Sequence, residues 1–156
     1  DIALSIVEEK MKLDFLLTVS AAGFLATYCH MAFALTADRV GMVKLDFSKG
    51  LSMLLFGESY GGNPPYTLGF IAVHLNGIVF ALFYATVLGP MMSGSNVVRG
   101  LIFGGLLLIF SQCFFNPFIT KHGFFGLKAN PRAWQTAVIA HAIYGVILGW
   151  LSPLSS

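Results

Sequence analysis

Hydrophobic positions along this chain are gathered into four long apolar blocks that polar connections separate. The blocks lie at residues 15–35, 66–92, 97–119 and 134–151. Three of them contain no charged residue, and the third block contains only Arg99, near its start. A helix rises about 1.5 Å per residue, so about 20 residues cross a hydrocarbon core that is about 30 Å thick. The pattern predicts an all-α membrane protein, a four-transmembrane-helix bundle in a single integral membrane domain over residues 1–156.

The first block also resembles the start of a secretory signal, because Met11 precedes a charged and then an apolar run. The apolar run continues to Leu35, which is longer than the hydrophobic region of a signal peptide. We therefore expect a true first span. The numbered chain starts with Asp1 and need not begin at the translational start.

The first connection contains a shorter apolar pattern at residues 45–57. Large apolar side chains recur there at helical spacing: Phe47, Leu51, Leu54 and Leu55. Asp46 or Ser48 is suited to cap the start of a helix, and Gly57 is suited to end it. About 10 residues are too few to cross a bilayer. We expect an interfacial helix that lies along the lipid headgroups, and packing on the ends of the spans is a compatible alternative.

Composition and charge limit the kinds of partner that we expect for this chain. The chain is 56% hydrophobic and 10% charged, against about 25% charged residues in soluble domains. A net charge of +2 with no basic run argues against nucleic acid. We expect lipid and other membrane subunits as partners. The connections at 36–65 and 120–133 carry six Lys and Arg residues, against three on the side of the termini, which predicts cytoplasmic connections.

Small residues predict where the helices pack. The third block contains the GxxxG pair Gly100 and Gly104, and the fourth contains Gly145 and Gly149. Such pairs let helix backbones approach closely, either in an internal seam, which we favour, or on a partner surface. Residues 27–36 also echo residues 111–120, which raises the hypothesis of two related helical hairpins.

Three histidines and a cysteine lie at one depth: His30, His74, His141 and Cys113. Each is roughly 10 Å from the connection-side boundary of its span. Imidazole and thiolate ligands suit transition metals, and His74 with His141 could instead hold a haem. The alternative is that each His is neutral and satisfied by a backbone carbonyl, and that Cys113 packs as a small apolar residue. The sequence does not identify a particular cofactor.

No nucleotide loop, catalytic triad or metalloprotease motif occurs in the sequence, so no catalytic residue is predicted. No carboxylate lies in the middle of a span, and Asn116–Pro117 would break the third span only near its end, which disfavours a small transporter. We expect Asn76 to hydrogen-bond a neighbouring helix. The function we expect is an accessory subunit of a larger membrane complex for respiratory or photosynthetic electron transfer. A His-ligated metal or haem protein is the alternative.

Three segments carry a resemblance to a known group: GMVKLDFSKGLSMLLFGE, HLNGIVFALFYATVLGP and AHAIYGVILGWL. They resemble small bacterial four-span inner-membrane proteins that are similar to YagU-like proteins, whose function is uncharacterised. The resemblance implies a four-helix topology in the bacterial inner membrane, and it implies no catalytic residue. His30 departs from the first span of that group.

Overall fold

The computed structural model describes residues 2–57 and 65–155, with side chains from residue 12 onward. The described residues form five helices of ten residues or more: α1 (Ile2–Thr36), α2 (Phe47–Phe56), α3 (Tyr66–Met91), α4 (Asn96–Ile119) and α5 (Ala133–Leu151). All except α2 are long and apolar enough to cross a membrane, and the candidate span of α1 starts at Lys12. The predicted all-helical, four-span architecture is confirmed.

The seam between α4 and α5 is built on glycine. Gly100 lies against the backbone of Gly145 and Gly149, and Gly104 lies against the carbonyl of His141. A side chain at Gly100 or Gly104 would overlap these backbone atoms, so the close approach requires glycine. The two predicted GxxxG pairs therefore face each other, which confirms the internal seam.

A second small-residue seam joins α1 to α3. Gly23 of α1 lies against Gly77 and Ala81 of α3, and Gly77 in turn lies against Thr27. The same helix α1 also packs along α5. The four spans are therefore ordered α3, α1, α5, α4 around the bundle, and α3 and α4 are left to meet each other across the remaining side.

Where α3 and α4 do meet, they meet at the side of the termini. The rings of Tyr84 and Phe103 lie with their centroids 5.2 Å apart, and the Tyr84 hydroxyl donates to the Asn96 carbonyl at 3.3 Å. Both rings belong to a buried core with small residues of α1 and α3 and the end of α5. The tail closes this end, because the Ser155 amide donates to the Ala85 carbonyl at 2.9 Å.

The predicted helix in the first connection is confirmed as α2, and the Asp46 carboxylate caps it by accepting from the Lys49 amide at 2.9 Å. Its buried face differs from the expected apolar stripe. Ser48 and Ser52 are buried, because the backbone of α2 lies directly against Gly69 of α3. Small side chains are needed at that contact, so the larger Leu54 and Leu55 are exposed instead.

Two spans widen locally into π-helical turns. Residues Tyr84–Leu88 form one such turn in α3, and Ser111–Ile119 form a longer one that contains Pro117 at the end of α4. The Thr120 amide accordingly donates to the carbonyl five residues back, at Phe115, at 3.1 Å. Proline supplies no amide hydrogen and displaces the backbone of the preceding turn. The disturbance that Asn116–Pro117 predicted is present, but it starts at Ser111, earlier than expected.

The start of α5 differs from the start that its sequence predicts. Asn130 is suited to cap a helix and Pro131 to be its first residue, whereas α5 begins at Ala133. Asn130 does act as a local cap, because its side-chain oxygen accepts from the Arg132 amide at 2.9 Å. It closes the turn before the helix, which moves the helix start by two residues.

Candidate functional site

A cavity of about 680 Å³ lies in the half of the bundle near the connections, between α3 and α4. Residues 72–80 of α3 form one wall, and residues 107–120 of α4 form the other. Asn76 and Phe110 line the cavity from opposite helices and are both exposed. Because α3 and α4 are both candidate spans, an opening between them would lie at the level of the hydrocarbon core of a bilayer.

The other walls come from the elements that pack beside this opening. α2 contributes Phe47 and Gly50, and α1 and α5 contribute the inner side chains His30, His141 and Tyr144. The carbonyl of Val43 accepts from the Thr136 hydroxyl at 2.7 Å, which ties the segment before α2 to α5. These contacts hold α2 over the connection-side end of the cavity.

Four polar side chains form a hydrogen-bonded row along the α4 wall. The Asn116 amide nitrogen donates to the Gln112 side-chain oxygen at 2.9 Å, and the Gln112 nitrogen donates to the Ser111 hydroxyl at 3.0 Å. The Ser111 oxygen lies 3.4 Å from Nε2 of His141. The row therefore runs from the connection-side end of α4 to the inner end of the cavity, and Gln112 within it is buried.

The His141 ring is held in one orientation. Its Nδ1 lies 2.8 Å from the Ala137 carbonyl, and a carbonyl only accepts, so Nδ1 carries the hydrogen. In the neutral ring Nε2 then accepts from the Ser111 hydroxyl. That hydroxyl also lies 3.1 Å from the Leu108 carbonyl, so it can instead donate there and accept from a protonated Nε2. Both protonation states of His141 find partners in this arrangement.

His30 lacks the hydrogen bonds that hold the His141 ring. Its ring stacks on Phe47 with centroids 4.6 Å apart and meets the edge of His141 at 5.1 Å. Its Nε2 is buried and has no hydrogen-bond partner among the described residues. An unsatisfied buried polar atom costs about 1–3 kcal/mol. The nitrogen that lacks a partner belongs to a side chain that lines the cavity.

Asn76 differs from its expected role. It lines the cavity and is exposed, and its side chain makes no hydrogen bond among the described residues. The neighbouring Gly77 makes the interhelical contact instead, because its carbonyl accepts from the Tyr144 hydroxyl at 2.8 Å. The expectation that Asn76 bonds a neighbouring helix is therefore wrong. The sequence pattern indicates how deep Asn76 lies along its helix, but it does not indicate on which face of the helix it lies. In the structure Asn76 faces the gap between α3 and α4.

The histidines that share one depth are only partly brought together. His30 and His141 are in contact, whereas His74 packs between Phe24 and Phe70, with centroids 4.6 Å and 4.2 Å away. Nδ1 of His74 lies 2.9 Å from the Phe70 carbonyl, which makes it the donor there as well. His74 is not among the residues that line the cavity of His141. Within the described residues, no three His, Cys, Asp or Glu side chains are grouped closely enough to hold a metal ion.

The side chains of the predicted ligand sets are not gathered into one group among the described residues. A haem between His74 and His141 would need a space that both rings line, and a metal site would need His30, His74, His141 and Cys113 to converge. Cys113 is a partly buried free thiol. Both cofactor hypotheses stay predictions from the sequence.

Sequence reasoning missed the roles of Ser111 and Gln112. The available signal was a cluster of polar side chains, Ser111, Gln112 and Asn116, in an otherwise apolar span next to Pro117. Polar groups at that depth require partners inside the protein. Comparison of this chain with protein-family models, with curated proteins and with solved structures finds no match. The resemblance to YagU-like proteins therefore stays an expectation.

Proposed function

We propose that this protein binds a lipid-soluble amphiphile, a molecule with an apolar chain and a polar head, in the cleft between α3 and α4. The cavity is the observation that supports this function most directly. Its volume of about 680 Å³ falls among the sizes of small-molecule sites, about 300–1,000 Å³. Its walls combine apolar side chains such as Phe80 and Leu107 with polar atoms that lack partners.

A lateral opening gives such a molecule a route from the bilayer. The chain of the amphiphile would lie between Phe80 of α3 and Phe110 of α4, and its head would reach the polar residues further inside. No catalytic residue is proposed, because binding alone accounts for the arrangement. The protein would store, present or sense the bound molecule within the membrane.

A cavity-filling variant tests this function. Gly50 lines the cavity, and a Cβ added there meets no atom within 4 Å. Gly50→Trp therefore occupies the cavity without a backbone clash. Gly105→Trp is a matched control, because Gly105 of α4 has the same free space and lies outside the cavity. Each protein is purified in mild detergent, and bound lipids are extracted and identified by mass spectrometry.

We expect the unaltered protein and Gly105→Trp to retain one small amphiphile at a stoichiometry near one per chain. Gly50→Trp is expected to lose it. Equal amounts of the same bulk phospholipid mixture in all three proteins would contradict the proposal, because that pattern describes lipid bound around the outside of the bundle.

We infer as a second function that the protein is an accessory subunit of a larger bacterial membrane complex. An exposed row of aromatic rings supports this: Phe110, Phe114, Phe118 and Phe124 follow one another with centroids 5.3, 5.6 and 6.5 Å apart. Helices associate in lipid by van der Waals packing, and aromatic rings supply large contact surfaces. An electron-transfer complex is the context that the sequence suggested, and it is proposed on that ground alone.

Replacement of Phe114 and Phe118 by Leu tests the partner surface. Co-purification from membranes in mild detergent, followed by mass spectrometry, should show a partner that the double variant loses. A matched double variant on another exposed face, Leu101→Val with Val146→Leu, should keep it. Migration of the unaltered protein only as a free monomer would refute the accessory role.

We also propose in which membrane the protein lies and how it is oriented there. The bacterial cytoplasmic membrane follows from the resemblance, and cytoplasmic connections follow from the six Lys and Arg residues on their side. A reporter enzyme that is active only outside the cytoplasm should be active when it is fused after α5. Activity of a fusion placed within residues 120–133, with an inactive fusion after α5, would reverse the orientation.

A further inference from the structure

We infer that the cleft selects an amphiphile whose head group is uncharged and carries carbonyl or hydroxyl oxygens, with His30 and Asn76 as its hydrogen-bond partners. This inference rests on the proposed function of the cleft. His30 belongs to α1 and Asn76 to α3, and both line the cavity. Nε2 of His30 and the side chain of Asn76 have no hydrogen-bond partner among the described residues.

The two side chains have complementary capacities. The Asn76 amide both donates and accepts, and the His30 ring donates from one nitrogen and accepts at the other. In hydrocarbon, a polar group without a partner costs several kcal/mol. A carbonyl or hydroxyl oxygen inside the cavity is the group that would pair with the Asn76 amide and with Nε2 of His30. An alkane or an acyl chain in the same place would leave both unpaired.

The charges around the cavity argue for an uncharged head. The side chains with a fixed charge that line the cavity are Lys44 and Asp46, both in the segment before α2. The Asp46 carboxylate is occupied as the cap of α2, and Lys44 is exposed at the edge. An ionised head at the level of His30 would therefore lose its water without gaining a buried counter-charge, which is costly.

The hydrogen-bonded row keeps His141 from competing for the head group. Its Nδ1 is bound to the Ala137 carbonyl, and its Nε2 is bound to Ser111. The His141 ring meets the His30 ring in a T-shaped contact, and Phe47 stacks on His30. Two ring contacts thus hold His30, and its Nε2 remains without a hydrogen-bond partner.

The test uses three labelled probes that share sixteen carbons: 2-hexadecanone, hexadecanoate and hexadecane. The protein is placed in lipid nanodiscs, and specific binding is the part that Gly50→Trp removes. We expect the ketone to bind about tenfold more tightly than the alkane, since about 1.4 kcal/mol from hydrogen bonding corresponds to that factor. Asn76→Leu should reduce the preference to about threefold or less.

Matched histidine variants separate recognition from stability. His30→Phe should lose the preference, and His30→Gln, which keeps a donor and an acceptor, should restore most of it. His74→Phe should retain the full preference, because His74 packs outside the cavity. Asn76 is exposed, so Asn76→Leu remains informative even where a change at His30 reduces folding.

The outcomes distinguish this inference from the function on which it rests. Absence of specific binding for all three probes would refute the proposed function. Equal specific binding of ketone and alkane would leave a binding cleft and overturn the choice of head group. Preferred binding of hexadecanoate that Lys44→Gln abolishes would overturn it in favour of an anionic head at the edge of the cavity.

Discussion

The interface between α3 and α4 has aromatic residues at both ends, but one end is closely packed and the other is open. At the side of the termini, the rings of Tyr84 and Phe103 are in tilted contact and are almost completely buried. Toward the connections, Phe80 and Phe115 stand on the walls of an open cavity. Aromatic content therefore does not decide whether two helices close. A widened turn occurs at both ends, so the difference lies in the polar residues on the inner side of the turn at Ser111–Ile119.

Replacement of one aromatic residue at each end should reveal the largest difference in the free energy of unfolding. Phe103 is 1% exposed, so Phe103→Ala removes packed contacts and should lower the free energy of unfolding by about 3 kcal/mol. Phe115→Ala on the same helix should cost less than about 1 kcal/mol, because one side of that ring already faces a cavity. Denaturation in mixed micelles measures both. Equal costs would contradict the distinction between a closed end and an open end.

Two adjacent glycines of α4 sharpen the comparison. Gly104 lies against the His141 carbonyl, so Gly104→Leu should push α5 away and cost about 2–3 kcal/mol. Gly105→Leu should be nearly neutral, because a Cβ at Gly105 meets no atom within 4 Å. Thermal unfolding of the pair in detergent compares them directly. A larger loss of stability for Gly105→Leu would place the seam on the wrong face of α4.

The bond that joins α5 to α3 at the inner end of the cavity should have a smaller effect. Tyr144→Phe removes the donor to the Gly77 carbonyl, and hydrogen bonds within membranes contribute about 1 kcal/mol. Tyr28→Phe is the control, because Tyr28 is 52% exposed. The difference in unfolding free energy between the variants checks the bond. A destabilisation confined to Tyr28→Phe would argue against this link across the bundle.

The weakest expected effect concerns the row of polar side chains. Ser111→Ala leaves Nε2 of His141 without its partner, and the cost should be about 0.5–1 kcal/mol. Nitrogen NMR of labelled histidine should show the hydrogen of His141 on Nδ1 in the unaltered protein, with a shift of the Nε2 signal in the variant. A spectrum with the hydrogen on Nε2 would contradict the bond to Ala137.

The spans and the α4–α5 seam could be predicted from sequence because each depends on a single feature of the sequence pattern. Uncharged length defines a span, and glycine at every fourth position defines a face. The cavity depends also on which side chains face each other across the bundle. His30, His74 and His141 share a depth, but depth does not say that the first and third rings face each other while His74 turns toward Phe24.

Pro117 illustrates the same limit within a single helix. Its position predicted a disturbance, because proline cannot continue an α-helical hydrogen-bond pattern. How far the disturbance extends depends on neighbours such as Gln112 and Asn116, whose side chains bond each other across the widened turn. Those contacts form only in three dimensions. The early start of the widened turn at Ser111 was therefore not accessible from sequence.

The central claim is that the open end of the seam holds a small amphiphile, and photo-cross-linking in native membranes tests it most directly. A benzoylphenylalanine in place of Phe80 would sit on the cavity wall, and one in place of the adjacent Val79, which is 60% exposed, would face bulk lipid. We expect the Phe80 position to capture one defined molecule with an uncharged oxygen-bearing head, and the Val79 position to capture mixed phospholipids. Identical phospholipid adducts at both positions would contradict the account.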